Sequence, residues 1–167
     1  MKGMICLLAL FAWVAAAQDK NSGSAGTARP APEKSQEELE AGFKKTFTKA
    51  TMSGRWCSLE EGKLGTEKKD RYTINSVSKV GKDVWLMNAR VEYGGKELTV
   101  PVPIQVKWAG DTAVIVVDKF SMPGGSGTYS ARLLVHNNTY SGNWSGEDHG
   151  GMLYGVITQG SDDQSKQ

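Results

Sequence analysis

The sequence predicts an all-β protein: an antiparallel, eight-stranded up-and-down meander closing into a small barrel, preceded by one N-terminal helix. Three observations carry this prediction. From Gly54 onward, apolar residues recur with period 2, the spacing of a half-buried strand. Turn signals interrupt these runs about every ten residues, the rhythm of a sandwich or barrel. Glycine is abundant, 20 of 167 residues, against roughly 7% in average usage, and most of it falls between the runs.

The chain begins with an address. Lys2 supplies a positive start, Ile5 to Val14 form an apolar run, and Ala15-Ala16-Ala17 place small residues before Gln18. That is the pattern of a secretory signal peptide over residues 1–17, cleaved between Ala17 and Gln18. The apolar run is shorter than the ~20 residues a bilayer span requires, so a secreted or periplasmic product without a membrane span is expected. Removal of the leader takes Cys6 with it and leaves Cys57 as the remaining thiol. Cys57 is then buried beneath the helix, burial being the commoner outcome for a free cysteine, or it pairs between chains.

Residues 18–34 are Gly, Ser, Ala and Pro with scattered charge and no large apolar side chain. Such a stretch cannot bury enough surface to offset its ordering entropy, so it reads as a disordered linker; residues 161–167 read as a similar tail. An amphipathic helix is expected over residues 35–52. Ser35 and Glu38 form a capping-box pair at its start. Leu39, Phe43, Phe47 and Ala50 make one apolar stripe, and Lys44, Lys45 and Lys49 sit where cations suit the helix dipole.

The barrel domain is expected over residues 53–160, with strand runs near 53–60, 70–79, 83–93, 96–108, 111–120, 127–136, 139–145 and 152–159. The connections are short: Gly81-Lys82, Gly94-Gly95, Ala109-Gly110-Asp111 and Asn137-Asn138. Gly-Gly and Asn-Asn tolerate the positive φ of tight hairpins, and short connections make neighbours antiparallel. Closure into a barrel removes the exposed edges of such a meander. Pro101 and Pro103 share one face of their strand and withhold two amides from one neighbour, so the barrel is expected to part there, or that strand to be an edge. Run 111–120 is apolar on both faces. The helix stripe is the expected cover for its outside, and a partner chain is the alternative.

Alternation assigns the inner faces. Trp85, Met87, Ala89, Val91 and Tyr93 share one; Leu98, Val100, Val102, Ile104, Val106 and Trp108 another; Tyr129, Ala131, Leu133 and Val135 a third. No carboxylate or imidazole lies along these three faces. An eight-stranded barrel is just wide enough to be filled by side chains or to hold one small ligand. Any cavity inside would be lipophilic, and a dry packed core is the competing expectation. The candidate ligand-binding residues are Trp85, Met87, Val91, Tyr93, Val102, Ile104, Trp108, Tyr129 and Leu133.

Ser53-Gly54-Arg55-Trp56 opens the first strand. It resembles the Gly-x-Trp signature with which lipocalin-type barrels begin. Tyr140–Trp144, with Gly150-Gly151 and Tyr154–Ile157, is similar to the closing hairpins of avidin- and lipocalin-like barrels. The resemblance implies a calycin-type barrel in which Trp56 closes the floor, and structural roles for Gly54, Trp56, Gly142 and Trp144. Each glycine would let strands approach or bend where a tryptophan packs. Run 152–159 departs from the lipocalin pattern in lacking an arginine, and the polar biotin-binding set of avidins has no counterpart. The segments VPVPIQVKWAGDT and GTYSAR also resemble uncharacterised secreted proteins of planctomycete-type bacteria, a resemblance that implies a compartment and no activity.

Composition narrows the function. A net charge of +2 offers no basic excess to displace counterions from phosphates, so nucleic acid is not an expected partner. Two cysteines supply neither a disulfide scaffold nor a four-thiolate zinc site. His149, beside Glu147 and Asp148, is the one imidazole flanked by carboxylates. A loop metal or acid/base site is the sharper reading there, a solvated turn the plainer one. His136 is expected to face solvent, and no Gly-x-Ser-x-Gly elbow supports a hydrolase triad. Asn137-Asn138-Thr139 and Asn143-Trp144-Ser145 are glycosylation sequons. The expected function is a secreted, non-enzymatic, lipocalin-like binding protein for a small apolar ligand or a protein partner, with no catalytic residues, metal or cofactor. The alternatives are a protease inhibitor acting through its mobile leader and a metal-dependent hydrolase built on the His149 loop.

Overall fold

The computed structural model describes residues 33–93, 96–125 and 127–160, with the side chains of 92, 93 and 96 outside the described set. The leader 1–17, nearly all of the linker 18–34, the Gly94-Gly95 connection and the tail 161–167 lie outside the described residues.

Helix α1 covers Gln36–Phe47. Its capping box is formed: the Glu38 amide donates to Ser35 Oγ at 3.3 Å, and the Ser35 amide donates to Glu38 Oε2 at 2.8 Å. The helix ends five residues before the expected boundary at 52. The Thr48 hydroxyl donates back to the Lys44 carbonyl, and Lys49 turns left-handed at φ 54°. Ala50 then joins a strand, where it pairs with Ile74 and Gln159. The stripe residue Ala50 is thus buried as a strand residue, because ladder pairing on both sides outweighs continuing the helix.

Nine strands follow among the described residues: β1 (Ala50–Glu60), β2 (Lys63–Leu64), β3 (Lys68–Lys79), β4 (Val84–Tyr93), β5 (Lys96–Ala109), β6 (Thr112–Phe120), β7 (Tyr129–His136), β8 (Thr139–Ser145) and β9 (Gly150–Gln159). All of the sheet pairings are antiparallel, and β1 pairs β9, so eight strands close into an up-and-down barrel. The two-residue β2 folds back on the end of β1 through a turn at Glu61 and Gly62, both at positive φ. Asn137 and Asn138 adopt positive φ in the β7–β8 hairpin, as the dipeptide predicts.

The prolines part the wall where expected. β5 pairs with β4 from Tyr93↔Lys96 to Val84↔Gln105, but with β6 only from Gln105↔Val116 to Ala109↔Thr112. The stretch 96–104, which holds Pro101 and Pro103, is laddered to β4 alone among the described residues.

The core lies inside the barrel. Alternation places Trp85, Met87, Ala89, Val100, Ile104, Val106, Leu133 and Val135 there, all buried. The helix does not cover the outside of β6. Phe43 and Phe47 instead enter the internal cluster, Phe43 meeting Trp85 edge-on at 5.2 Å and Trp108 at 6.3 Å. The helix therefore plugs one end of the barrel. This burial is the better outcome for two phenyl rings, since a closed apolar lumen removes more of each from water than a convex wall does. The Gln159 side chain donates to the Lys45 and Thr46 carbonyls and caps the last helical turn at that end. The outer face of β6 keeps Val114 and Val116 partly exposed beside Leu134, which is 50% exposed.

Candidate functional site

The end of the barrel away from the helix is differently built. Trp56, Tyr72, Val91, Val117 and Trp144 pack on the core from there, each partly buried. The Trp56 and Trp144 rings meet edge to face at 5.6 Å, and the His149 ring adds to Trp144 at 5.3 Å and to Tyr129 at 6.1 Å. Trp56 thus stands away from the helix-plugged end; it does not close the floor that α1 seals.

Below this aromatic layer the lumen contains a carboxyl group. Ile74 is buried in the core, and alternation along β3 brings Tyr72 and Asp70 to the same inner face. Asp70 lies opposite Gly54, Gly54 opposite Gly155, and Gly155 opposite Tyr140. Tyr140, 2% exposed, lies across the two glycines and donates from its hydroxyl to Asp70 Oδ1 at 3.3 Å. A Cβ at Gly54 or Gly155 would collide with the Tyr140 hydroxyl and with the facing backbone. These glycines make room for a tyrosine, not for the tryptophan that the resemblance implies. The Tyr72 hydroxyl bonds to the same carboxyl.

Asp70 Oδ2 is withdrawn from solvent and has no hydrogen-bond partner, and the Trp144 indole N–H is likewise buried and unpartnered. Burial pushes the Asp70 carboxyl above the ordinary carboxylate range, against the lowering effect of its hydrogen bonds from Tyr140 and Tyr72. Both tyrosines are raised well above the ordinary phenol value, first by burial and then by the charge of Asp70. The group thus consists of one acceptor-rich carboxyl and two phenols that keep their protons.

The residues expected to contact ligand divide between two environments. Trp85, Met87, Ile104 and Leu133 are fully buried, and Trp85 and Trp108 lie under Phe43. Val91 and Tyr129 face the helix-free end and keep some exposure, and Val102, partly exposed, lies in the stretch of β5 that is not paired with β6. The Tyr93 side chain is outside the described residues. Gly142 lies at a close strand approach, where a Cβ would strike the Arg132 carbonyl. Asp70 and Tyr140 complete the lumen without having been singled out by the inner-face reading.

Other candidates fall elsewhere. Cys57 is free and buried, opposite Met152 and remote from the helix, not beneath it. His149 is exposed, with Nδ1 2.7 Å from Asp148 Oδ1, and this contact holds the Asp148 carboxyl below its usual range. His136 is exposed, 3.4 Å from Thr112 Oγ1 and 3.6 Å from Asp111. Among the described residues, no three His, Cys, Asp or Glu side chains converge as a metal would require. Two open grooves lie on the surface. One of about 450 Å³ runs between α1 and the His136–Asn138 turn; another of about 700 Å³ runs between the β1–β2 hairpin and His149.

Comparison with known proteins finds no matching family model, no similar curated protein and no similar solved structure. The closed eight-stranded antiparallel barrel is consistent with a calycin-type fold.

Proposed function

We propose that this protein is a non-enzymatic binding module of lipocalin-like type, exported by its leader, that admits a small ligand with an apolar body through the helix-free end of the barrel. One observation carries the reading: the two ends are unlike. The helix seals one with Phe43 and Phe47, while the other presents partly exposed Trp56, Trp144 and Val91 above a lumen in which Asp70 Oδ2 has no partner. Binding sites of this class combine apolar walls with a few placed polar groups.

The test is titration of the purified mature chain with a panel of small hydrophobes, read by tryptophan fluorescence and by native mass spectrometry. Saturable quenching or a spectral shift is expected from Trp56 and Trp144, abolished by Trp56→Phe with Trp144→Phe and retained in Trp85→Phe. An unliganded mass and an unchanged spectrum across the panel would remove the reading.

A further inference from the structure

We infer that the lumen selects an organic cation: a ligand with a protonated amine head group on its apolar body, held between the Asp70 carboxyl and the indole rings of Trp56 and Trp144. The inference rests on the binding reading above and names the chemical class of its ligand.

Asp70 and Trp56 are diagonal neighbours on the inner wall, since Gly54 is opposite Asp70 and Lys68 is opposite Trp56. Diagonal neighbours lie roughly 7–8 Å apart in an antiparallel pair, a span that one ammonium group bridges. On one side of that span, Asp70 Oδ2 has neither solvent nor a partner. A buried carboxylate in this state lacks compensation, which a charge-assisted N–H donor supplies. On the other side, an indole face already attracts a cation: the Lys68 ammonium stands 4.8 Å from the Trp56 ring centroid. A ligand ammonium would meet the same ring quadrupole. Tyr140 and Tyr72 hold the carboxyl in place and remain protonated, so they contribute no competing negative charge. A carboxylate head group, by contrast, would meet the like charge of Asp70.

Octylamine and octanol share a chain and differ in the head group. The wild-type protein is expected to bind octylamine at least about tenfold more tightly than octanol at neutral pH. Asp70→Asn should abolish that preference, bringing octylamine affinity down to that of octanol. Lys68→Met vacates the Trp56 face and should raise octylamine affinity alone. Equal binding of the two probes, a preference that survives Asp70→Asn, or no gain in Lys68→Met would overturn the inference while octanol binding keeps the barrel a binding module. If neither octanol nor any other hydrophobe binds, both readings fall. Should Asp70→Asn not fold, the wild-type comparison and Lys68→Met decide the matter on their own.

Discussion

Tyr140 and Asp70 meet because Gly54 and Gly155 between them carry no side chains, so one hydroxyl on β8 reaches across β9 and β1 to β3. The contact has a consequence for stability. Burial raises the Asp70 carboxyl, so the folded chain holds its proton to a higher pH than the unfolded chain does. Stability is then lost as pH rises from the ordinary carboxylate value through the raised folded one. Asp70→Asn is neutral throughout and still accepts from Tyr140. It is expected to raise the thermal midpoint by a few degrees at about pH 7, with the gain vanishing below about pH 4. Melting curves across that range check it, and a gain independent of pH would contradict it. The individual residues were only partly legible in the sequence. Trp85, Met87, Ile104 and Leu133 follow from strict alternation, but Asp70 does not. A bulge between Ile74 and Ser76 puts Ile74 and Val77 on the same inner face despite their opposite parity, so the alternation of β3 looks broken until its pairing with β4 is known.

At the scale of elements, the helix is the piece whose place the pattern does not determine. Its start and its stripe follow from Ser35, Glu38, Leu39, Phe43 and Phe47, but an apolar stripe does not say which surface it meets. The outside of β6 and the end of the barrel both offered one, and the phenyl rings chose the enclosed site. Phe47 is 0% exposed, so Phe47→Ala should cost about 3–5 kcal/mol, as large-to-small changes of buried aromatic residues do. Urea unfolding followed by far-ultraviolet circular dichroism measures this; a cost below about 1 kcal/mol would mean that the helix is not an integral part of the core. The short β2 strand went unread for a different reason. Its two residues show no periodicity, and only the Glu61-Gly62 turn betrays the fold-back.

For the molecule as a whole, closure was legible from strand count, spacing and turn chemistry, because an up-and-down meander with short connections has few other ways to hide its edges. The parting was legible from two prolines. Where β5 leaves β6, Pro101 and Pro103 present no amides to an incoming strand, which protects the opened wall from pairing with other chains. Replacing both with threonine restores two donors on a β-compatible side chain. The double variant is expected to self-associate in a concentration-dependent manner, visible by light scattering after size exclusion; a strictly monomeric variant with a monomeric parent would show that the prolines do not guard the edge. The seam between β1 and β9 bears on a different matter, the order of events in folding. It joins the first and last strands, and the Gln159 cap on Lys45 spans 114 residues of chain. Closing so long a loop is entropically slow. The hairpins from β3 to β8 are therefore expected to assemble first, leaving the lumen open as a curved sheet until the arrival of β9 seals the wall and completes the cap over the helix.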